Sequence, residues 1–283
     1  IFLKLVLKLY FRGYSICQYQ LNEEICMSIL NINEVTKVYK GKVTTRALNQ
    51  LSFEVEKGEF LAVMGPSGSG KTTLLNLISM IDTPTSGEII FNGMRPQNLN
   101  STELAYFRRR ELGFVFQDFN LLPMLTVEEN IVLPLTLDEQ PISLMEERLK
   151  GLVDKLGLST ILHKRPDEIS GGQAQRTAIA RALIHEPSLI LADEPTGNLD
   201  SNASREVLEL LSKMNQEKQA TIIMVTHDPI AASYCDRVLF IKDGEFFNEI
   251  YRDDRRQTFF QRILNVLSLL GGQVGDFSTI RLP

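Results

Sequence analysis

Gly65, Pro66, Ser67, Gly68, Ser69, Gly70, Lys71 and Thr72 stand in succession, with glycines, a lysine and a hydroxyl at the spacing of a loop that cradles phosphate. Glycines at 65, 68 and 70 can take backbone conformations closed to other residues, so successive amides can converge on one anion. Lys71 would then sit against the β- and γ-phosphates of a nucleotide, the Thr72 hydroxyl would bind Mg²⁺, and Thr73 would add amide and hydroxyl donors. Both flanks suit this chemistry. Residues 60–64 form a short apolar run fit for a buried parallel strand, and residues 71–80 read as a helix whose N-terminus would face the anion. A glycine-rich loop with an accidental lysine would need neither flank.

A second apolar run, residues 189–192, leads into Asp193 and Glu194, at the strand end where an α/β sheet places its nucleotide site. Asp193 can hold magnesium through its water shell, and Glu194 can accept a hydrogen bond from an attacking water; the bland alternative is two solvated carboxylates in a turn. A third run, residues 221–225, is followed by His227, ahead of Asp228 and Pro229, which favours a role for that imidazole at the γ-phosphate. His163 and His185 lack such a setting and read as satisfied surface or core residues.

The remaining elements must bring these strand ends together. Residues 29–38 and 51–56 alternate apolar and polar side chains, as half-buried strands of an antiparallel layer do. Residues 89–91 read as another strand, leaving through Asn92 and Gly93. Thr126 with Glu129, and Ser143 with Glu146, have capping-box spacing and would open helical stretches, the second ending near Gly157. Past Gly171 and Gly172 a helix is expected to run to His185 and stop before Pro187. Residues 237–241 and 245–250 around Gly244 suit a hairpin, and residues 258–270 carry apolar side chains at helical spacing. Strands alternating with helices indicate an α/β fold with a mostly parallel sheet.

The chain has 283 residues and 43% hydrophobic composition, enough for a sizeable core. Its formal net charge of -5 disfavours nucleic acid as a main partner. Cys17, Cys26 and Cys235 are odd in number and widely spaced, which suits neither a disulfide framework nor a zinc site and points to a reducing cytoplasm. No apolar run approaches the roughly 20 residues of a bilayer-spanning helix. The apolar opening, residues 1–11, is broken by Lys4 and Lys8. Residues 1–27 read as a non-native or disordered leader: the ordered-looking sequence begins after Met27, and Glu23 with Glu24 could be encoded by a purine-rich ribosome-binding site.

Ile169, Ser170, Gly171, Gly172 and Gln173 resemble the signature motif of ABC ATPases, with Ile169 where the family usually has Leu. Two glycines at a helix start expose amide donors and the positive dipole end, suited to a phosphate held from outside. The other family parts match in order. Gln117, after Phe114 and Phe116, resembles the Q-loop; residues 197–200, ending in Asp200, resemble the D-loop; and His227 resembles the switch histidine. Tyr39 resembles the aromatic that stacks on adenine, and as an aromatic at a strand end it is equally suited to a core.

The resemblance implies the ABC ATPase fold: a P-loop core with a mostly parallel sheet, an N-terminal antiparallel layer and an inserted helical subdomain. The expected organisation is a cassette over residues 28–250, with the helical subdomain at about 118–175, then a helical extension and tail over 251–283. It implies a homodimer in which the Lys71 loop of one copy and the Ser170 loop of the other enclose ATP. Glu194 would position or activate water, Lys71, Gln117, His227 and Thr72 would serve phosphate and Mg²⁺ with Gln117 among the metal ligands, and Ser170 with Gly172 would reach the opposite γ-phosphate.

Residues 225–235, Ser212 to Asn215, residues 256–261 and residues 269–272 look like ATP-binding subunits of bacitracin and antimicrobial-peptide export systems, related to the lipoprotein-release and macrolide-export group. The partner implied is a separate transmembrane permease, through which a two-component sensor kinase would also be reached, with the chain peripheral at the inner face of the cell membrane. The helix at 258–270 would pack in the ordinary way or contact the permease or dimer mate. A regulatory ATPase of the cell-division or lipoprotein-release type is the alternative. A DNA- or ribosome-acting ABC protein is disfavoured because neither a coiled-coil insertion nor a second cassette is visible.

Overall fold

The computed structural model describes residues 28–41, 43–253 and 255–271, so the leader reading for residues 1–27, the end of the tail motif at Gly272 and residues 273–283 lie outside the described residues. Strands β1 (Ser28–Tyr39), β2 (Thr45–Glu56) and β4 (Ser86–Phe91) form an antiparallel sheet in the order β2-β1-β4. Strands β3 (Phe60–Met64), β5 (Leu112–Phe116), β6 (Leu189–Asp193), β7 (Thr221–Val225), β8 (Arg237–Lys242) and β9 (Glu245–Tyr251) form a second sheet in the order β5-β6-β7-β3-β8-β9, parallel except for the β8–β9 hairpin.

Residues of the large sheet sort onto two faces with the strand period of two. Leu61, Val63, Leu191, Ile223, Val225 and Leu239 pack with the small sheet and with helix α1 (Lys71–Ile78), which is thereby sandwiched between the sheets. Phe60, Ala62, Met64, Ile190, Ala192, Ile222, Met224 and Phe240 face the opposite way, onto helices α3 (Val127–Leu137), α4 (Ile142–Val153), α5 (Gly171–Leu183) and α6 (Ser201–Lys218). Both faces of the central strands are covered, which is why they read as continuous apolar runs. Each such side chain contributes about 1.5–3 kcal/mol by leaving water.

Helix α2 (Ser101–Glu111) precedes β5, the four-residue helix α7 (Pro229–Ala232) follows β7, and α8 (Arg256–Leu269) buries Phe259, Phe260 and Ile263. The sequence expectations omit β5, α2, α6 and α7. The polar, arginine-rich α2 has little apolar stripe to read, burying Phe107. For α6, the stripe of Val207, Leu208, Leu211 and Met214 behind an Asp200 cap is a legible signal.

Thr126 caps α3 with the expected reciprocal pair, accepting from the Glu129 amide while Glu129 accepts from the Thr126 amide. Ser143 does not cap α4. That helix starts two residues earlier, with Pro141 as its cap holding the chain extended and no side-chain bond, so Ser143 lies inside the first turn. It ends at Val153, not near Gly157, because the chain closes by a Leu158 amide to Val153 carbonyl bond and turns at Gly157 with φ of 65°. Helix α1 likewise stops at Ile78 and α5 at Leu183, each a turn-end short of the expected length. Strand β2 begins at Thr45, well before the expected residue 51.

Candidate nucleotide site

Parallel register levels the strand ends. Phe116 pairs with Asp193, Asp193 with Val225, and Val225 with Val63, so the residues that follow β5, β6, β7 and β3 emerge in one row. Gln117, Glu194, His227 and the loop from Gly65 all leave the sheet at this edge, the carboxyl end where α/β sheets bind ligands.

The glycine loop is wedged between neighbours. A side chain at Gly65 would collide with the carbonyl of Ile241 on β8, and one at Gly70 with the carbonyl of Ala47 on β2; Gly70 also has φ of 99°, closed to other residues. The Ser69 amide donates to the Pro66 carbonyl at 3.2 Å. The Gly244 amide of the β8–β9 turn donates to the Ser69 carbonyl at 3.1 Å, and the Gly244 carbonyl accepts from the Asn49 amide at 2.8 Å. The loop is thus tied to both sheets before anything binds. The Ser69 side chain is 3% exposed, and its hydroxyl has no partner among the described residues.

Ser67, Gly68, Gly70, Lys71, Thr72, Thr73, Asp193, Glu194 and His227 line one cleft of about 410 Å³, together with Thr45, Arg46, Ala47 and Val225. Lys71 Nζ donates to the carbonyls of Gly65 and Pro66 at 2.8 and 2.9 Å, so its ammonium is held over the loop. Burial pulls the Lys71 ammonium below its ordinary pKa, against the pull of Glu194 and Asp193. Burial pushes Asp193 up, the adjacent Glu194 adds to that push, and Lys71 opposes it. A dehydrated ammonium beside two carboxylates is a site arranged to meet further charge.

Glu194 has φ of 46°, an uncommon backbone for a residue with a side chain, fixed by its amide donating to Val225 at 2.9 Å and its carbonyl accepting from Gly197 at 3.0 Å. His227 Nδ1 lies 2.8 Å from Glu194 Oε1, with the imidazole 74% exposed and the carboxylate 17%. The geometry therefore adds to the expected role of His227 a direct contact with the carboxylate, which fixes that group's aim.

Other expected residues lie outside the cleft lining. Gln117 Nε2 donates to Asn198 Oδ1 at 3.2 Å, and Asn198 Nδ2 returns bonds to the Gln117 carbonyl at 3.2 Å and Asp118 Oδ1 at 2.7 Å. Asp200 caps α6, accepting from the amides of Asn202 and Ala203 at 2.9 and 3.0 Å. Ser170 caps α5: its hydroxyl accepts from the Gln173 amide at 3.3 Å, and Gln173 Oε1 accepts from the Ser170 amide at 3.0 Å. Gly172 lets α5 and α6 approach, since an added Cβ would stand 3.1 Å from that of Ala203. Tyr39, paired in register with cleft-lining Thr45, donates its hydroxyl to Asp82 at 2.9 Å, while Lys37 lies 4.9 Å from its ring centroid.

Sequence reasoning missed Thr45, Arg46 and Ala47, because their strand carries no clear alternation before residue 51. His163 is exposed, and His185 is half-buried, with Nε2 donating to the Leu112 carbonyl at 3.1 Å but Nδ1 buried without a partner among the described residues, so it is not the fully satisfied residue expected. Among the described residues no helix is long and apolar enough to cross a membrane.

The chain matches the ABC transporter family over residues 48–197. It is 61% identical to the ABC transporter ATP-binding protein YxdL of Bacillus subtilis, over 90% of this chain and 99% of that relative. It is 49% identical to the bacitracin export ATP-binding protein BceA of Halalkalibacterium halodurans, over 88% of this chain and 100% of the relative, which bears out the resemblance read from the tail. Its fold matches the dimeric post-hydrolysis structure of the Methanocaldococcus jannaschii cassette MJ0796 bound to ADP and Pi, with a TM-score of 0.73 and 40% identity over 79% of this chain and 99% of that one. The chain belongs to the ABC transporter family, as one of its ATP-binding, ATP-hydrolysing proteins.

Proposed function

We propose that two copies of this chain enclose ATP between them and drive a separate transmembrane permease that exports or dislodges peptide antibiotics of the bacitracin type. The observation that carries the dimer is a separation. Lys71, Asp193, Glu194 and His227 share one cleft, and none of residues 170–173 lines it. The exposed Ser170 start of α5 has the amides and dipole of an anion site and does not border its own chain's cleft, so the phosphate it would meet is one held by a second copy. This arrangement is in keeping with the dimeric cassette that this fold resembles.

The donor set suits a nucleoside triphosphate with Mg²⁺. Among the described residues no cluster of three or more His, Cys, Asp or Glu side chains forms an all-protein cage, which fits an ion shared between a few protein groups and phosphate oxygens. Thr72, Asp193 and Gln117 would hold it, and it would supply charge neutralisation at the transferring phosphoryl group. Lys71 binds the phosphates, the Glu194 carboxylate accepts a proton from the attacking water, His227 orients that carboxylate, and Ser170 of the second copy closes the γ-phosphate side. Tyr39 offers its ring to the base beside Thr45. The chain works at the inner face of the membrane, held there by the permease.

Likeness to a bacitracin export protein supports the substrate class. Deleting the gene in its own cell is expected to sensitise that cell to bacitracin-type peptides, with rescue by the wild-type chain and not by Glu194→Gln. Unchanged sensitivity to all such peptides would overturn the substrate reading and leave the ATPase reading standing.

A further inference from the structure

Gln175 lies on the second turn of α5, and its side chain is wholly buried. Its Nε2 donates to the Pro195 carbonyl at 2.6 Å and reaches the Phe116 carbonyl at 3.4 Å. Pro195 directly follows Glu194, and Phe116 directly precedes Gln117. One amide from the helix that starts at Ser170 therefore grips the backbone beside both of these site residues.

The grip has a cost. Gln175 Oε1 is buried without a partner among the described residues. An unsatisfied buried acceptor is destabilising, a cost that a methionine or leucine of similar size would avoid. What the amide provides is a donor to carbonyls that leave the sheet at its ligand edge. The need is local: Glu194 sits at a positive φ, and its neighbours on β7 and at Gly197 fix its own amide and carbonyl but not the peptide after Pro195. The same helix repeats the device on the other loop. Arg181 donates to the carbonyls of Phe119 and Asn120 at 2.9 and 2.6 Å, and both of those residues also have positive φ, 60° and 48°.

We infer that Gln175 is a positioning residue for hydrolysis: it anchors the Glu194 loop to α5 and so sets the aim of the Glu194 carboxylate. The inference rests on Glu194 being the group that acts on water. A carboxylate displaced by about 1 Å can lose two orders of magnitude in rate while leaving the nucleotide bound.

The experiment compares Gln175→Met, which keeps volume and removes the donor, with the wild type and Glu194→Gln. Expected are a kcat lower by about ten- to a hundredfold, an ATP dissociation constant within twofold of wild type and a melting temperature within a few degrees. Adding Gln175→Met to Glu194→Gln should cost no further turnover, since the amide acts through the carboxylate. Should the methionine variant not fold, Gln175→Asn, too short to reach Pro195, carries the same expectations. Wild-type kcat in the folded variant, or losses that multiply in the double variant, would overturn the inference. Undiminished turnover in Glu194→Gln alone would instead remove the reading on which it rests.

Discussion

The two glycine-bearing helix starts that we propose hold phosphate are built differently. The α1 start is crowded: Gly65 and Gly70 abut Ile241 and Ala47, Gly244 ties the loop to both sheets, and Lys71, Asp193 and Glu194 surround it. The α5 start is exposed at Ser170 and Gly171, uses the Ser170–Gln173 pair to bond the amides of those two residues and not those of Gly171 and Gly172, and has no part in the cleft lining. The first is a preorganised half-site complete in its charges. The second is a donor face without a counterpart in its own chain. On the proposed reading, a site split this way couples chemistry to assembly, because turnover would need both halves.

The comparison breaks most visibly at the carboxylate. Glu194→Gln, in the first half, is expected to lower steady-state ATP hydrolysis by about 10²–10⁴-fold while ATP binding survives. Ser170→Arg, which adds bulk and charge at the second half, is expected to cost turnover by about 10²-fold or more with single-chain nucleotide affinity unchanged, as isothermal titration would show. Loss of affinity there would place Ser170 on the same nucleotide as its own Lys71. Gly70→Ala puts a Cβ onto Ala47 at a positive φ; destabilisation of about 1–3 kcal/mol, together with weakened nucleotide binding, should appear in denaturant titration. Ser170→Ala removes the capping hydroxyl, about 1 kcal/mol of stability, without adding bulk or charge, and is expected to cost less turnover than Ser170→Arg, which separates loss of the hydroxyl from steric blockage.

The smallest effect lies away from both halves. Burial pulls the His185 imidazole below its ordinary pKa, with Arg148 pulling the same way and the Leu112 carbonyl, Asp138 and Glu111 opposing. The unfolded chain therefore binds more protons than the folded one, so stability should fall as pH drops from about 6.5 toward the lower folded value. Gln can replace the donor to Leu112 without titrating. Between pH 7 and pH 5.5, His185→Gln should lose less melting temperature than wild type, by about 1–3 °C.

The sheet was legible because its central strands are buried on both faces and so read as unbroken apolar runs ending at Gly65, Asp193 and Thr226. Parallel pairing then made neighbours of residues far apart in sequence, and the chemistry of each strand end predicted which neighbours mattered. Three features were not legible. The Thr45 start of β2 rests on its pairing with the end of β1, Thr45 with Tyr39 and Arg46 with Val38, not on alternation. The α4 start depends on Pro141, which outcompetes the Ser143 capping pattern. The contacts of Asn198 and Gln175 arise from loops meeting across β5 and β6; the D-loop resemblance takes in Asn198 without marking its bond to Gln117, and nothing local marks the bond from Gln175 to Pro195.

Sedimentation velocity with ATP on two proteins tests the split site most directly. Glu194→Gln should sediment as a dimer when ATP is present and as a monomer when it is not, and the Glu194→Gln, Ser170→Arg double variant should bind ATP equally well yet remain monomeric. A double variant that dimerises as strongly as the single one would contradict the account.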